Sequence, residues 1–391
     1  MTVIPTYIEL YNDILSDLET QMQVSIPIFG KNFLRALAVV QAGKLWLYYK
    51  AIANVQKNIF IDTAEPESIG GTLERFGRVK LNREPFSARA GEYVVTVTGS
   101  IGAIIPAQST FKSDDTVINS GKLFILDSAY TLVATTDSIT IRALEAGNDS
   151  KLNIGDTLTA TAPIALVDSI VTVSAETIEP SAEENIEDYR DKALDAYRLE
   201  PQGGAATDYR LWSADAQGVK QSYPYAKTGV VNEINLFVEA TIADSIDGKG
   251  TPSALLLTDV EEVVEFDPDT TRPTYERGRR PLGVIVNFLP VTVLNVDVTI
   301  NGFVGLTVDI QNAIELSLID EINLVRPFVA ACDILDEKND ILDSNKIISI
   351  ILNTRPGSVF GAITLNVGGV PYNSYTFING NIPYVNSINF V

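Results

Sequence analysis

Apolar residues recur at helical spacing from Ile28 to about Ile61, at Phe33, Leu34, Leu37, Val40, Leu45, Leu47, Tyr48, Ile52, Val55 and Ile59. No proline interrupts the run, and the pattern predicts a long amphipathic helix. Gly43 is expected to weaken its middle and mark a break. A second helix is expected to open near Pro66, a residue tolerated in a first turn, and to run through Leu73 to Phe76 before Gly77 stops it. The character changes after Arg89. Tyr93 to Thr98 and Ser138 to Ile141 are rich in β-branched residues and are bounded by Gly, Ser and Asp, which predicts short strands up to about Ala175. Gly99-Ser100-Ile101-Gly102, Ser113-Asp114-Asp115 and Gly147-Asn148-Asp149 supply the turns between them.

Helix is expected again from Ser181 to Arg198, with Ser181 as N-cap, Glu184 in the capping-box position and Pro201-Gln202-Gly203-Gly204 as the stop. A helix over Thr207 to Ala216 then leads into strands at Lys220 to Tyr225 and Val231 to Ala240, followed by a helix from Pro252 to Val264. Beyond Pro281-Leu282-Gly283 the pattern predicts a long strand (Val284 to Asn301), helices at Val308 to Val325 and Ser344 to Leu352, and two late strands ending at Val391. The order of elements predicts an α+β multidomain chain. It would comprise a helical N-terminal region (residues 1–85), an antiparallel β-rich middle domain (86–180), a central α/β domain (181–283) and a small α+β C-terminal domain (284–391).

Composition narrows what such a chain can do. With 29 Lys plus Arg against 50 Asp plus Glu, the net charge is -21 and repels phosphate backbones, so nucleic acid is a poor partner. Cys332 is the only cysteine, which excludes an intrachain disulfide framework and any multi-cysteine metal site; a small buried hydrophobe is its expected role. Nothing approaches the ~18 uninterrupted apolar residues of a membrane span, and the first twenty residues lack the run of a secretion signal. A soluble chain made in the cytoplasm, with no direct membrane insertion, is the expectation.

The chain has no histidine. That removes the commonest general base and the commonest nitrogen metal ligand together, so Ser-His-Asp triads, Cys-His dyads and H-E-x-x-H zinc sites are impossible. Neither a G-x-x-x-x-G-K-[ST] phosphate loop nor a G-x-G-x-x-G fingerprint is present. A glycan hydrolase needs only two carboxylates, and 50 are available, so that alternative stays open. Glu183, Glu184, Glu187 and Asp188, and Glu261, Glu262 and Glu265, nevertheless have the spacing of solvated helix faces. Asp244 and Asp247 with Gly248 and Gly250, Asp267 with Asp269, and Asp333, Asp336, Glu337 and Asp340 invite a calcium reading, but read better as polar surface loops. Trp46 and Trp212 are expected to anchor cores. No catalytic residue, cofactor site or metal site is identified.

Four stretches carry a resemblance. Residues 71–111 read as a helix ending with Leu73, Gly77 and Arg78, a turn of the A-x-G type carried by Ala90 and Gly91, a Val95-to-Gly99 strand and an Ile105-Pro106-Ala107 entry to the next strand. Ala143, Gly147, Asn153 and Gly155 follow. Then come Tyr189-Arg190, Pro201-x-Gly203-Gly204, Asp208-Tyr209, Trp212 and Gly218-Val219, and finally Arg280-Pro281-Leu282-Gly283 before Val291-x-Val293. In this order and near this spacing they resemble the baseplate J-like family of contractile phage tails and related injection machines, over roughly residues 65–300. Gln108 stands where the family turn usually has Gly, Ser213 where it has Ala, and Lys192 near the second Arg of Y-R-x-R. The marks are structural types: turn glycines, chain-fixing prolines and large aromatics.

The resemblance implies a non-enzymatic structural wedge subunit of a baseplate, located in the virion tail and assembled in the host bacterial cytoplasm. Implied partners are other copies of itself in a homodimer or ring, other wedge proteins, a sheath-initiator protein, the spike hub and a tail-fibre adaptor; no cofactor is implied. It would form an inner ring around the hub, link it to sheath initiation and fibre attachment, and rearrange to trigger contraction. The residues expected to grip a neighbour are Phe33, Leu34, Leu37, Val40, Leu45, Tyr48 and Ile52, the apolar stripe of the N-terminal helix. A receptor-binding tail adhesin and a carboxylate-based glycan hydrolase are the alternatives.

Overall fold

The computed structural model describes residues 4–23, 25–26, 33–199 and 202–391. They form two compact units, Met1–Pro85 with Ile186–Tyr197, and Phe86–Asn185 with Arg198–Val391. The mixed α+β class expected from the sequence is observed.

The first unit opens with α1 (Tyr7–Met22), started by a capping box in which Thr6 and Glu9 satisfy each other's backbone N–H groups. Helix α2 (Phe33–Lys57) runs unbroken through Gly43, against the expected break. The one-residue cost of glycine is small beside a 25-residue helix with its Ala38 and Ala42 buried. The part of the predicted run at Ile28 lies outside the described residues. The helix expected from Pro66 to Phe76 is instead a 3₁₀ turn at Glu67–Ile69 followed by α3 (Leu73–Lys80), which continues through Gly77. Gly70, at φ 86°, ends the turn, and Thr72 and Leu73 both donate to the carbonyl of Glu65, which re-aims the chain. Helix α4 (Ile186–Arg198) contributes its residues up to Tyr197, and Ala64, Leu73 and Tyr189 form the small core.

Ser181 does not cap α4. Its backbone pairs with Arg89, its hydroxyl donates to Asp244 Oδ1 at 2.9 Å, and Glu184 exchanges hydrogen bonds with the backbone of Phe86. Strand-like pairing of 181–184 with 86–89 thus outcompetes helix, which starts five residues later than expected.

The second unit begins with β1 (Glu92–Thr98), β2 (Ile104–Ile105), β3 (Thr110–Ser113), β4 (Leu123–Ile125), β5 (Tyr130–Thr131), β6 (Thr136–Ala143), β7 (Thr157–Ala160) and β8 (Ile170–Ile178). Six of these close an antiparallel barrel in the order β1-β6-β4-β3-β7-β8, while β2 and β5 form a separate ribbon. Alternate residues Tyr93, Val95 and Val97 of β1 fill the interior with Phe111, Phe124, Ile139, Ile141, Leu158, Val171 and Val173. Local pattern predicts the strands; closure requires β1 to pair with both β6 and β8, a long-range fact.

Next come α5 (Ala206–Ser213), β9 (Val219–Ala226), β10 (Glu233–Ala240) and α6 (Ala254–Glu265), capped by Ser253. The expected long strand Val284 to Asn301 is two strands in different sheets. β11 (Ile285–Pro290) runs parallel to β10, and β12 (Thr292–Ile300) begins where Thr292 donates to Gly380, one residue after Val291 donates to Val238. Pro290, which has no N–H, marks the hand-over. The rest is α7 (Val308–Ile322), β13 (Ile341–Asp343), α8 (Ser344–Thr354), β14 (Ile363–Val367), β15 (Val370–Tyr372), β16 (Ser374–Thr376) and β17 (Asn381–Phe390). Where two late strands were expected there are four. Strands β15-β14-β12-β17 make one sheet whose apolar face packs on α7 and α8 through Val296, Val298, Ile314, Leu318, Ile347 and Ile351.

Candidate interaction surface

Helix α2 turns little of its apolar side chain into its own unit. Only Ala38 and Ala42 are buried, while Phe33 is 77% exposed, Val40 54%, Tyr48 64% and Ile52 58%; Leu45 is also exposed, and Leu34 and Leu37 are half-buried. At 100° per residue, Phe33, Ala36, Val40, Gly43 and Leu47 form a seam opposite the Ala38–Ala42 side. Leu47 and Val55, exposed at 61% and 62%, belong to this surface although only the helical period pointed to them.

Charge on the two N-terminal helices is segregated. Helix α1 carries Glu9, Asp13, Asp17 and Glu19 and no base, whereas α2 carries Arg35, Lys44, Lys50 and Lys57 and no acid. Arg35 donates to Tyr11 Oη and to the carbonyl of Ile26, and Tyr7 Oη donates to the carbonyl of Val39. Trp46 is half-buried, with Lys50 Nζ 3.7 Å above its ring, so it is not the core anchor expected. Trp212 does pack in a core, edge-on to Tyr209 at 5.3 Å.

The residues that carried the resemblance meet in pairs. A Cβ on Gly77 would lie 2.0 Å from Tyr189 Oη, so α3 and α4 touch where only hydrogen fits. Tyr189 Oη donates to the carbonyl of Arg83 at 2.8 Å, and Arg190 donates to the carbonyls of Ile61 and Ala64. Arg78 pairs with Glu67 and Glu84. In the second unit Gly204, at φ 109°, sits against Pro281, where a Cβ would lie 2.5 Å from the ring. The Asp208 carboxylate accepts from the N–H groups of Gln202, Gly204 and Ala205, fixing the turn at Gly203 ahead of α5. Gly91 abuts Tyr93, the carbonyl of Pro106 accepts from Ser109, and Gly218 abuts Asp244. Pro201 lies outside the described residues. The departures are accommodated: Gln108 adopts the left-handed φ of 66°, and the Ser213 hydroxyl meets that of Ser222 at 2.5 Å and donates to the carbonyl of Arg210.

The acidic loops are held by the protein's own donors. Asp244 accepts from Asn148, Ser181, Ala182 and Thr241, and Asp247 from Lys249 and Thr251. Among the described residues no group of three or more Cys, Asp or Glu is placed to hold a metal ion, and no helix is long and apolar enough to cross a membrane. Cys332 is buried beside Tyr223, Val329 and Ile382.

Two buried polar clusters escaped the sequence. In one, Glu239 accepts from Tyr223 Oη at 2.5 Å and from Arg326 at 2.9 Å, with Lys220 at 3.6 Å. Burial and the Glu239 charge push the Tyr223 phenol well up. It lies beside a recess of about 300 Å³ lined by Arg198, Lys220, Arg326, Phe328, Asp333 and Lys338, in which Asp333 is tied to Arg210 at 2.5 Å. In the other, Glu179 accepts from Lys151 and Ser253, while one oxygen of nearby Glu176 is buried with no hydrogen-bond partner.

Burial, followed by the neighbouring Glu179 charge, raises the Glu176 carboxyl above its ordinary value. A carboxyl raised on folding costs nothing below its unfolded value; it opposes folding increasingly as pH rises past that value and in full once pH exceeds its folded value. Glu176→Gln is therefore expected to stabilise the protein at pH 7 by up to about 1 kcal/mol and to leave stability unchanged near pH 4. Melting curves across that range would check it; a destabilised variant at pH 7 would contradict the assignment.

No family model matches the sequence, and no curated protein matches it. Among solved structures, the chain aligns with one in the cryo-EM structure of the anti-feeding prophage (AFP) baseplate, 6-fold symmetrised. The alignment covers 100% of both chains at 12% identity, with a TM-score of 0.40.

Proposed function

We propose that this protein is a structural wedge subunit of the baseplate of a contractile tail or related injection machine, acting through surfaces and performing no catalysis. The observation that carries this reading is the pairwise meeting of the family marks: Gly77 with Tyr189, and Gly204 with Pro281. Such marks serve close packing, as expected of a chain whose work is to hold shape within an assembly. The open seam of α2 supports the same reading, since an exposed Phe33, Val40 and Leu47 face needs a covering partner. The opposite charges of α1 and α2 suit the same two helices of another copy, acid against base. Wedge copies would ring the spike hub, meet the sheath initiator and the fibre adaptor, and pass between two arrangements when contraction is triggered.

Co-expression with neighbouring tail genes, followed by imaging, is expected to yield rings or ring fragments. Val40→Asp with Leu47→Asp should abolish them: two buried aliphatic side chains contribute about 3 kcal/mol or more to an interface, equivalent to at least ~100-fold in association. Unchanged assembly by a variant with unchanged circular dichroism would remove the α2 seam from the interface.

A further inference from the structure

The barrel wall is incomplete at one seam. Strand β6 pairs with β1 over seven residues but with β4 over only two, Ala143 with Phe124 and Arg142 with Ile125. Ala143 N–H donates to Gly91 on the β1 side and Leu144 N–H donates to Leu123 on the β4 side. Antiparallel alternation therefore turns the backbone groups of the even-numbered residues, Ser138 and Thr140 among them, toward β4. There the opposing chain has diverged: Leu126 pairs with Ser109, and Tyr130 with Ile105 in the ribbon. A groove of about 370 Å³ lies between Leu126–Tyr130 and Ser138–Arg142. The Ser138 N–H is taken by Asp137 Oδ1, and among the described residues no backbone group opposes the Ser138 carbonyl or the Thr140 N–H and carbonyl. At the point where the ladder stops, Arg142 clamps Asp127 with two hydrogen bonds of 3.0 and 3.1 Å.

We propose that this groove receives an extended, basic segment of a partner protein, which adds as a strand to the open edge of β6. An unpaired edge offers main-chain hydrogen bonds to such a segment. Ser138 and Thr140 are exposed on the outer face while Ile139 and Ile141 point into the core, so the edge is held in extended geometry by the barrel itself. About four residues at ~3.3 Å each match the span from Ser138 to Arg142. Charge selects the occupant. Glu92 and Asp127 line the groove with Asp137 beside them; Asp127 and the single base, Arg142, pair with each other, so Glu92 and Asp137 leave the groove net negative. The inference is independent of the α2 seam, so either can fail alone.

The test uses the full chain and two fluorescein-labelled peptides of alternating sequence, one of Lys, Thr and Val, the other with Glu in place of Lys. Saturable anisotropy is expected with the Lys peptide and at least ten-fold weaker binding with the Glu peptide, with slowed amide exchange over 138–142. Thr140→Pro, which removes the edge donor, should weaken Lys-peptide binding at least ten-fold. Ser138→Lys with Thr140→Lys keeps the backbone and should do the same by charge, which covers the case in which the proline variant does not fold. No saturable binding, or binding that survives the substitutions in folded protein, overturns the proposal.

Discussion

Arg326→Ala is expected to cost about 3–5 kcal/mol of unfolding free energy. Glu239 is 1% exposed, and Arg326 donates to both its oxygens, at 2.9 to 3.2 Å, while also donating to the carbonyls of Asn323 and Val325. Removing the guanidinium leaves a buried carboxylate with Tyr223 and a lysine at 3.6 Å. The desolvation cost of that charge is no longer offset, which is why losing one partner of a buried pair costs more than the pair contributes. One consequence separates this account from simple loss of packing. The double variant Arg326→Met with Glu239→Gln should recover most of the loss, because no charge remains to be buried. A loss that the double variant leaves untouched, measured by denaturant unfolding, would contradict the argument.

How much of this was legible beforehand depends on the range of the interactions involved. The periods of α2 and β1 are local, and Phe33 to Ile59 and Tyr93 to Val97 announced a helix and a strand directly. The late start of α4 was not local. Ser181 and Glu184 satisfy a capping pattern, yet both were claimed by residues 86–89, about a hundred positions away. The split between β11 and β12 likewise depended on which sheet each strand joined, although Pro290 was a visible hint. Glu239 looked like one more polar position of a strand; its place between Val238 and Ala240, both wholly buried, makes sense only once Arg326 arrives from 87 residues downstream. As for the interaction surface, the helical period identified its residues but not its open side, because Ala38 and Ala42 are smaller than the residues left exposed.

The glycine at position 77 offers the sharpest division between local and tertiary effects. Gly77 lies inside α3, where alanine would ordinarily stabilise by about 1 kcal/mol. A Cβ there would lie 2.0 Å from Tyr189 Oη, 2.3 Å from Cζ and 2.7 Å from Cε1, and Tyr189 is wholly buried with its hydroxyl committed to the carbonyl of Arg83. Neither ring nor helix can yield without opening the core of Ala64, Leu73 and Tyr189. Overpacking of this kind costs about 1–3 kcal/mol, and the 2.0 Å approach puts it at the upper end, so Gly77→Ala is expected to destabilise by about 2 kcal/mol net despite its helix propensity. Tyr189→Leu alone should be destabilising too, through the lost ring and hydrogen bond. In the double variant the new methyl enters vacated space, so Gly77→Ala on that background should be neutral or stabilising. Denaturant unfolding of the four proteins measures this reversal of sign as a coupling energy. If alanine at 77 stabilises both backgrounds equally, the helix–helix contact at Tyr189 is not what requires the glycine.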